Sequence, residues 1–142
     1  MITVAPFHPA HLVELRTQPR QPKNMVMFTD PDIGQALAQG KSYTVFDSDG
    51  VVQACMGMDE QWPGRALCWA LLSADLRHLM LPISVRARRV FDESGYRRLE
   101  AYVDPTFAEA IRWVELLGFK REGLMKKFTP EGDDQLLYAR TR

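Results

Sequence analysis

Apolar residues recur along this chain with two periods, and the switching between them sets out a string of elements. Residues 2–4 predict a short strand, and Pro9 opens a helix carrying Leu12, Val13 and Leu15. The polar, proline-rich residues 17–23 predict a loop. Thr29 or Asp30 can cap a second helix, with Pro31 in its first turn and Gly40 at its end. Two strand-like runs, 43–46 and 51–56, flank Asp47-Ser48-Asp49-Gly50 and predict a hairpin. Trp62-Pro63-Gly64 marks another turn. Residues 66–72 are apolar at both parities, the pattern of a central strand covered on both faces.

A helical period then spans residues 74–94, with an interruption or kink expected at Pro82. Ile83, Ala87, Val90 and Phe91 share one face of it, and Arg86, Arg89 and Glu93 the other. In residues 98–103, Leu99, Ala101 and Val103 alternate with Arg98, Glu100 and Tyr102, which predicts a strand. Asp104-Pro105 starts a last helix with an apolar stripe of Phe107, Ala110, Ile111, Val114 and Leu117, and Gly118 stops it. Residues 119–128 and 135–139 predict two closing strands around Pro130-Glu131-Gly132-Asp133. The expected core is Leu71, Ile83, Val90, Phe91, Leu99, Val103, Ile111, Val114 and Leu117.

The string β-α-α-β-β-β-α-β-α-β-β is buried most economically by an α/β domain, a mixed sheet with helices on both faces. The helical segment between the fourth and fifth strands is the crossover that a parallel pair requires. At 142 residues, a single domain spanning 1–142 is expected. Eighteen basic and eighteen acidic residues cancel, which argues against a specific nucleic-acid binder. Residues 1–64 carry a net charge of −3 and residues 65–142 a net +3, a mild polarity only. No apolar run reaches the ~20 residues of a membrane span, and the N-terminus lacks a signal-peptide pattern. A cytoplasmic location is therefore expected, with Cys55 and Cys68 as reduced thiols, although their strands could be neighbours and a disulfide is sterically open.

The element order resembles the GNAT superfamily of N-acetyltransferases from end to end. Residues 110–119, reading Ala-Ile-Arg-Trp-Val-Glu-Leu-Leu-Gly-Phe, followed by Glu122-Gly123, carry the most specific match: a helix, then Leu-Gly-Phe, then a strand with a glycine. More narrowly, Trp69-Ala70-Leu71-Leu72-Ser73, the strand at 98–103, Arg112-Trp113-Val114-Glu115 and Leu137-Tyr138-Ala139-Arg140 are similar to a tailed-phage GNAT-like family that includes an internal virion protein. The resemblance implies a mostly antiparallel sheet whose fourth and fifth strands run parallel and splay, with acetyl-CoA at the end of the fourth. Leu72, Ser73, Arg77 and His78 are the cofactor-binding positions it implies.

The sequence departs from the family's chemistry. Active members hold the cofactor's pyrophosphate on a glycine-rich loop after the fourth strand, where backbone amides and a helix dipole meet the anion. Residues 73–82 contain no glycine, and Leu79, Met80 and Leu81 are expected to screen the helix-start amides. Phe107 replaces the usual helix-start Asn, and Val114 replaces the Tyr that protonates the departing thiolate. These losses favour a phage-type assembly or interaction protein, virion-associated in a host cytoplasm, that binds acetyl-CoA weakly or not at all. The alternative is an acetyl-CoA-dependent N-acetyltransferase acting on a small-molecule or protein amine.

Each candidate residue has a structural reading beside the chemical one. Glu60 is a base for an attacking amine or a solvated turn acid. Glu100, in a strand covered on both faces, is a second such base or is paired with an Arg. Ser73 meets a thioester or caps a helix. His78 is a base or a surface residue. His8 and His11 share a face but lack a third ligand nearby, so no metal is expected. The arginines at 77, 86, 88, 89, 97 and 98 form a local cluster that touches a CoA 3′-phosphate or a nucleic acid, or is a solvated helix face ion-paired with Asp92, Glu93 and Glu100.

Overall fold

A computed structural model describes residues 1–15, 31–74 and 76–142, and for residues 31–34 the backbone alone. The expected loop at 17–23 and the cap at Thr29 or Asp30 lie outside the described residues. The elements are β1 (Thr3–Pro6), α1 (His11–Glu14), α2 (Pro31–Gln39), β2 (Lys41–Phe46), β3 (Val52–Trp62), β4 (Arg65–Leu72), a 3-10 turn (Arg77–Leu79), α3 (Met80–Glu93), β5 (Arg98–Val103), α4 (Ala108–Leu116), β6 (Lys120–Met125) and β7 (Gln135–Thr141). They form a mixed α/β architecture with one seven-stranded sheet in the order β1-β2-β3-β4-β5-β7-β6. The parallel pair expected from the crossover is present: β4 pairs with β5 through Arg65↔Arg98, Ala66↔Leu99 and Leu67↔Glu100.

The chain divides into two compact units, residues 1–59 with 68–85, and residues 60–67 with 86–142. In the first, β2 pairs antiparallel with β1 and β3. Its core gathers Phe7, Leu15, Val52, Cys55 and Leu71, with Leu12, Leu37, Phe46 and Trp69 packed against them. Phe7 meets Trp69 edge to face at 5.4 Å between ring centres, a favoured aromatic geometry. Burial pushes the Cys55 thiol up to about 12, so it remains protonated and inert. Neither Cys55 nor Cys68 is in a disulfide.

In the second unit, β7 lies between β5 and β6, antiparallel to both. Tyr138 is fully buried, and its hydroxyl donates to Glu115 Oε2 at 2.8 Å, which satisfies the one polar atom of that side chain. Helix α4 ends in a Schellman motif. The Gly118 N–H reaches the Glu115 carbonyl and the Phe119 N–H the Val114 carbonyl, with Gly118 at φ +95°, where a side chain would be strained. Arg88 Nη1 donates to the Leu116 carbonyl at 2.6 Å and places positive charge at the same helix end.

Several expectations require correction. Pro82 neither interrupts nor ends α3, because it falls in the first turn, where a missing N–H costs little. The helix begins at Met80 behind a 3-10 turn rather than at residue 74. Strand β3 continues to Trp62, so Asp59 and Glu60 belong to a strand and not to a turn. Leu71, Ile83, Leu99, Val103, Val114 and Leu117 are buried as expected. Val90, Phe91 and Ile111 are only half-buried, since each lies toward the edge of its helix's apolar face.

Candidate functional site

The segment joining β4 to α3 is organised by a β-bulge. Val45 pairs with Ala54 and Phe46 with Val52, which leaves Gln53 as the extra residue of β3. The carbonyl of Gln53 accepts the Ser73 N–H at 2.8 Å and so fixes the end of β4. Its side-chain Nε2 donates to Asp47 Oδ2 at 2.9 Å, while its buried Oε1 has no hydrogen-bond partner among the described residues. Asp47 also accepts the backbone N–H groups of Asp49 and Val51. The Val51 donor, then those of Gln53 and Asp49 and the charge of His78, hold the Asp47 carboxyl below its ordinary value.

Ser73 is buried and does not cap the helix; the residue at the cap of the 3-10 turn is Leu76, which makes no side-chain capping bond. The reason lies in the anchors. Leu76 is 1% exposed and Leu79 4%, and these two side chains turn into the core. Leu81 stands 75% exposed. The expected screen of leucines over the helix start is therefore absent at position 79. Among the described residues of this segment, Ala74, Arg77 and His78 are exposed. Amides at the start of a helical turn lack intrahelical acceptors. No acidic residue lies in the first turn of the 3-10 segment or of α3.

The two candidate carboxylates belong to the second unit and have different partners. Glu100 is 4% exposed and sits between two guanidinium groups. Arg65 binds it through Nε and Nη2, at 2.5 and 2.7 Å, and Arg98 Nε at 2.7 Å. Arg65, and after it Arg98, pulls the Glu100 carboxyl from 4.5 down to about 2 against the opposing effect of burial. Arg98 extends the network to Glu122, the extra residue at a bulge in β6. Glu122 and Glu100 both raise the pKa of Arg98. Glu60 is exposed at the end of β3, where the buried Tyr96 donates its hydroxyl to Oε1 at 2.9 Å. Glu60 is thus a single-partner carboxylate and Glu100 a doubly ion-paired one.

His11 Nδ1 lies 2.7 Å from Thr44 Oγ1, and its ring packs edge to face on Phe46. Among the described residues, no group of three or more His, Cys, Asp and Glu is arranged to hold a metal. Sequence reasoning missed Tyr96 and Gln53. Gly95 before a strand gave the only signal for the first, and nothing in the alternation of residues 52–55, all buried, marks the second.

A scan against protein-family models gives no match, and a search of curated proteins gives none. Solved structures do match over nearly the whole chain. A GNAT-family acetyltransferase from Bacillus anthracis superimposes with a TM-score of 0.74 at 15% identity, covering 99% of this chain and 94% of that one. The ribosomal-protein-S18-alanine N-acetyltransferase from Escherichia coli gives 0.70 at 17% identity, over 99% and 94%. The IAA acetyltransferase from Bacillus cereus gives 0.71 at 13% identity over the full length of both chains. A seven-stranded sheet with a parallel β4–β5 pair, matched end to end by such proteins, is the fold of the GNAT acetyltransferases.

Proposed function

We propose that the protein is an acetyl-CoA-dependent N-acetyltransferase, acting in the cytoplasm as a single domain on a small-molecule or protein amine. The observation that carries this reading is the helix start after β4. Leu76 and Leu79 face inward, Arg77 and His78 are exposed beside the exposed Leu81, and the first turns of the 3-10 segment and of α3 contain no acid. That is a fit for the anionic part of acetyl-CoA, because a helix start favours negative charge and a guanidinium adds charge-assisted bonds. When bound, the cofactor supplies an activated acetyl thioester. Its phosphates are assigned to Arg77, His78 and the amides beside them, and Leu72 and Ser73 to the strand end where the thioester rests.

The amine that attacks must lose a proton, and Glu60 is the carboxylate suited to take it, directly or through water. It is exposed, and its one charge-neutral partner, Tyr96, keeps it oriented. Glu100, held at about 2, is a weak proton acceptor, and its role in this reading is to fix Arg65 and Arg98. With Val114 where the family has a tyrosine, the thiolate takes its proton from water or from the buried Ser73. Among the described residues, no helix is long and apolar enough to cross a membrane.

The glycine-free residues 73–82 favour a second reading, an assembly or interaction protein built on the same fold, and the resemblance of residues 69–73, 98–103, 112–115 and 137–140 makes it a phage-derived, virion-associated one. A turnover assay separates the two. The protein is incubated with acetyl-CoA and a panel of polyamines, amino acids and peptides with free N-termini, and release of the CoA thiol is followed. At least one amine is expected to drive release, and Glu60→Gln to slow it about 100-fold or more. No release across the panel would reject the enzyme reading in favour of the second.

A further inference from the structure

Beside the β3–β4 turn, in the second unit, is an open pocket of about 300 Å³ lined by Trp62, Gly64, Arg65, Arg97 and Arg98. We propose that it is a binding site for a small aromatic anion, whose phosphate or carboxylate head is held by Arg97 and whose ring lies on Trp62. The inference is independent of acetyl transfer.

The three arginines of the pocket are not equivalent. Arg65 and Arg98 are committed to Glu100, and Arg98 also to Glu122. Arg97 forms no ion pair among the described residues. Three guanidinium groups thus face two carboxylates, and the uncompensated charge is that of Arg97. Glu60, the nearest acid along β3, accepts the Tyr96 hydroxyl.

The backbone holds Arg97 in place. The Arg98 N–H donates to the Gly64 carbonyl at 3.0 Å, and the Arg97 carbonyl accepts the Arg142 N–H at 3.0 Å. Gly64 has φ +96°, and a Cβ there would come within 2.8 Å of Arg97 Nη2 and 2.9 Å of its Nε. Glycine at this position therefore lets the guanidinium lie flat on the turn. Trp62 is 58% exposed, and Arg65 stacks on its ring at 4.3 Å. A planar ligand would gain from the exposed indole what an isolated anion cannot. The volume matches the smaller end of the range for small-molecule sites.

Calorimetric titration of the intact protein with phenyl phosphate, benzoate and inorganic phosphate tests the proposal. Saturable binding of an aromatic anion is expected, weakened about tenfold or more by Arg97→Met and less by Arg97→Lys, which keeps the charge but loses the planar fork. Trp62→Leu should weaken both aromatic anions but not inorganic phosphate. Phenyl phosphate binding above benzoate identifies a phosphate head, and the reverse a carboxylate. Circular dichroism checks that each variant is folded. The proposal is overturned if no aromatic anion saturates, if Arg97→Met binds as the parent does, or if Trp62→Leu has no effect.

Discussion

Each strand of the parallel pair leads into a helix, and the two junctions are built in opposite ways. After β4, two leucines anchor a 3-10 turn in the core, and Arg77 and His78 of that turn are exposed. After β5, Asp104 Oδ1 accepts both the N–H and the hydroxyl of Thr106 at 2.8 Å, and Glu109 adds a carboxylate in the first turn of α4. The second junction supplies its own negative charge where a helix start attracts it. The strands differ too. Beyond Arg65, β4 carries no charged side chain, whereas β5 carries Glu100 between Arg65 and Arg98. In the proposed reading the first junction receives an anion from outside, whereas the second is satisfied by its own side chains.

The largest expected effect comes from breaking the first junction's anchor. Leu79→Ala removes a side chain that is 4% exposed and should cost about 2–5 kcal/mol in chemical denaturation, through the cavity it leaves. A cost below about 0.5 kcal/mol, the scale of a surface change, would mean that the turn is held by something else. Next comes the charge on β5. Glu100→Gln leaves two guanidinium groups without their shared counter-ion and should cost about 2 kcal/mol at neutral pH. The folded pKa of Glu100 is depressed from 4.5 to about 2, so its contribution is present in full above 4.5 and is lost as pH falls from there toward 2. Denaturation midpoints across that window should fall more steeply for the parent than for Glu100→Gln; parallel profiles would contradict the ion-pair account.

Much of this contrast is legible in the sequence, and its limits have physical causes. The order of elements follows from hydrophobic period and turn residues, and the parallel pair from the crossover length between residues 72 and 98. The exit of α4 is readable because Leu117-Gly118-Phe119 needs a left-handed glycine. The direction of Leu76 and Leu79 is not readable, since a 3-10 turn places side chains at threefold spacing while residues 74–94 carry an α-helical pattern. The bulges at Gln53 and Glu122 change register without any change in composition, so neither the buried amide nor the Glu122–Arg98 pair could be foreseen. Glu100 was readable as a buried carboxylate needing a partner, but Arg65 was not readable as one, because only the three-pair register of β4 on β5 brings them together.

The measurement that tests the contrast most directly is calorimetric titration of acetyl-CoA into the parent protein and into Arg77→Ala. The account expects saturable binding by the parent, weakened about tenfold or more in Arg77→Ala, the equivalent of one charge-assisted contact. Absence of binding by the parent, or equal affinity in the variant, would contradict the claim that the helix start after β4 receives the cofactor's phosphates.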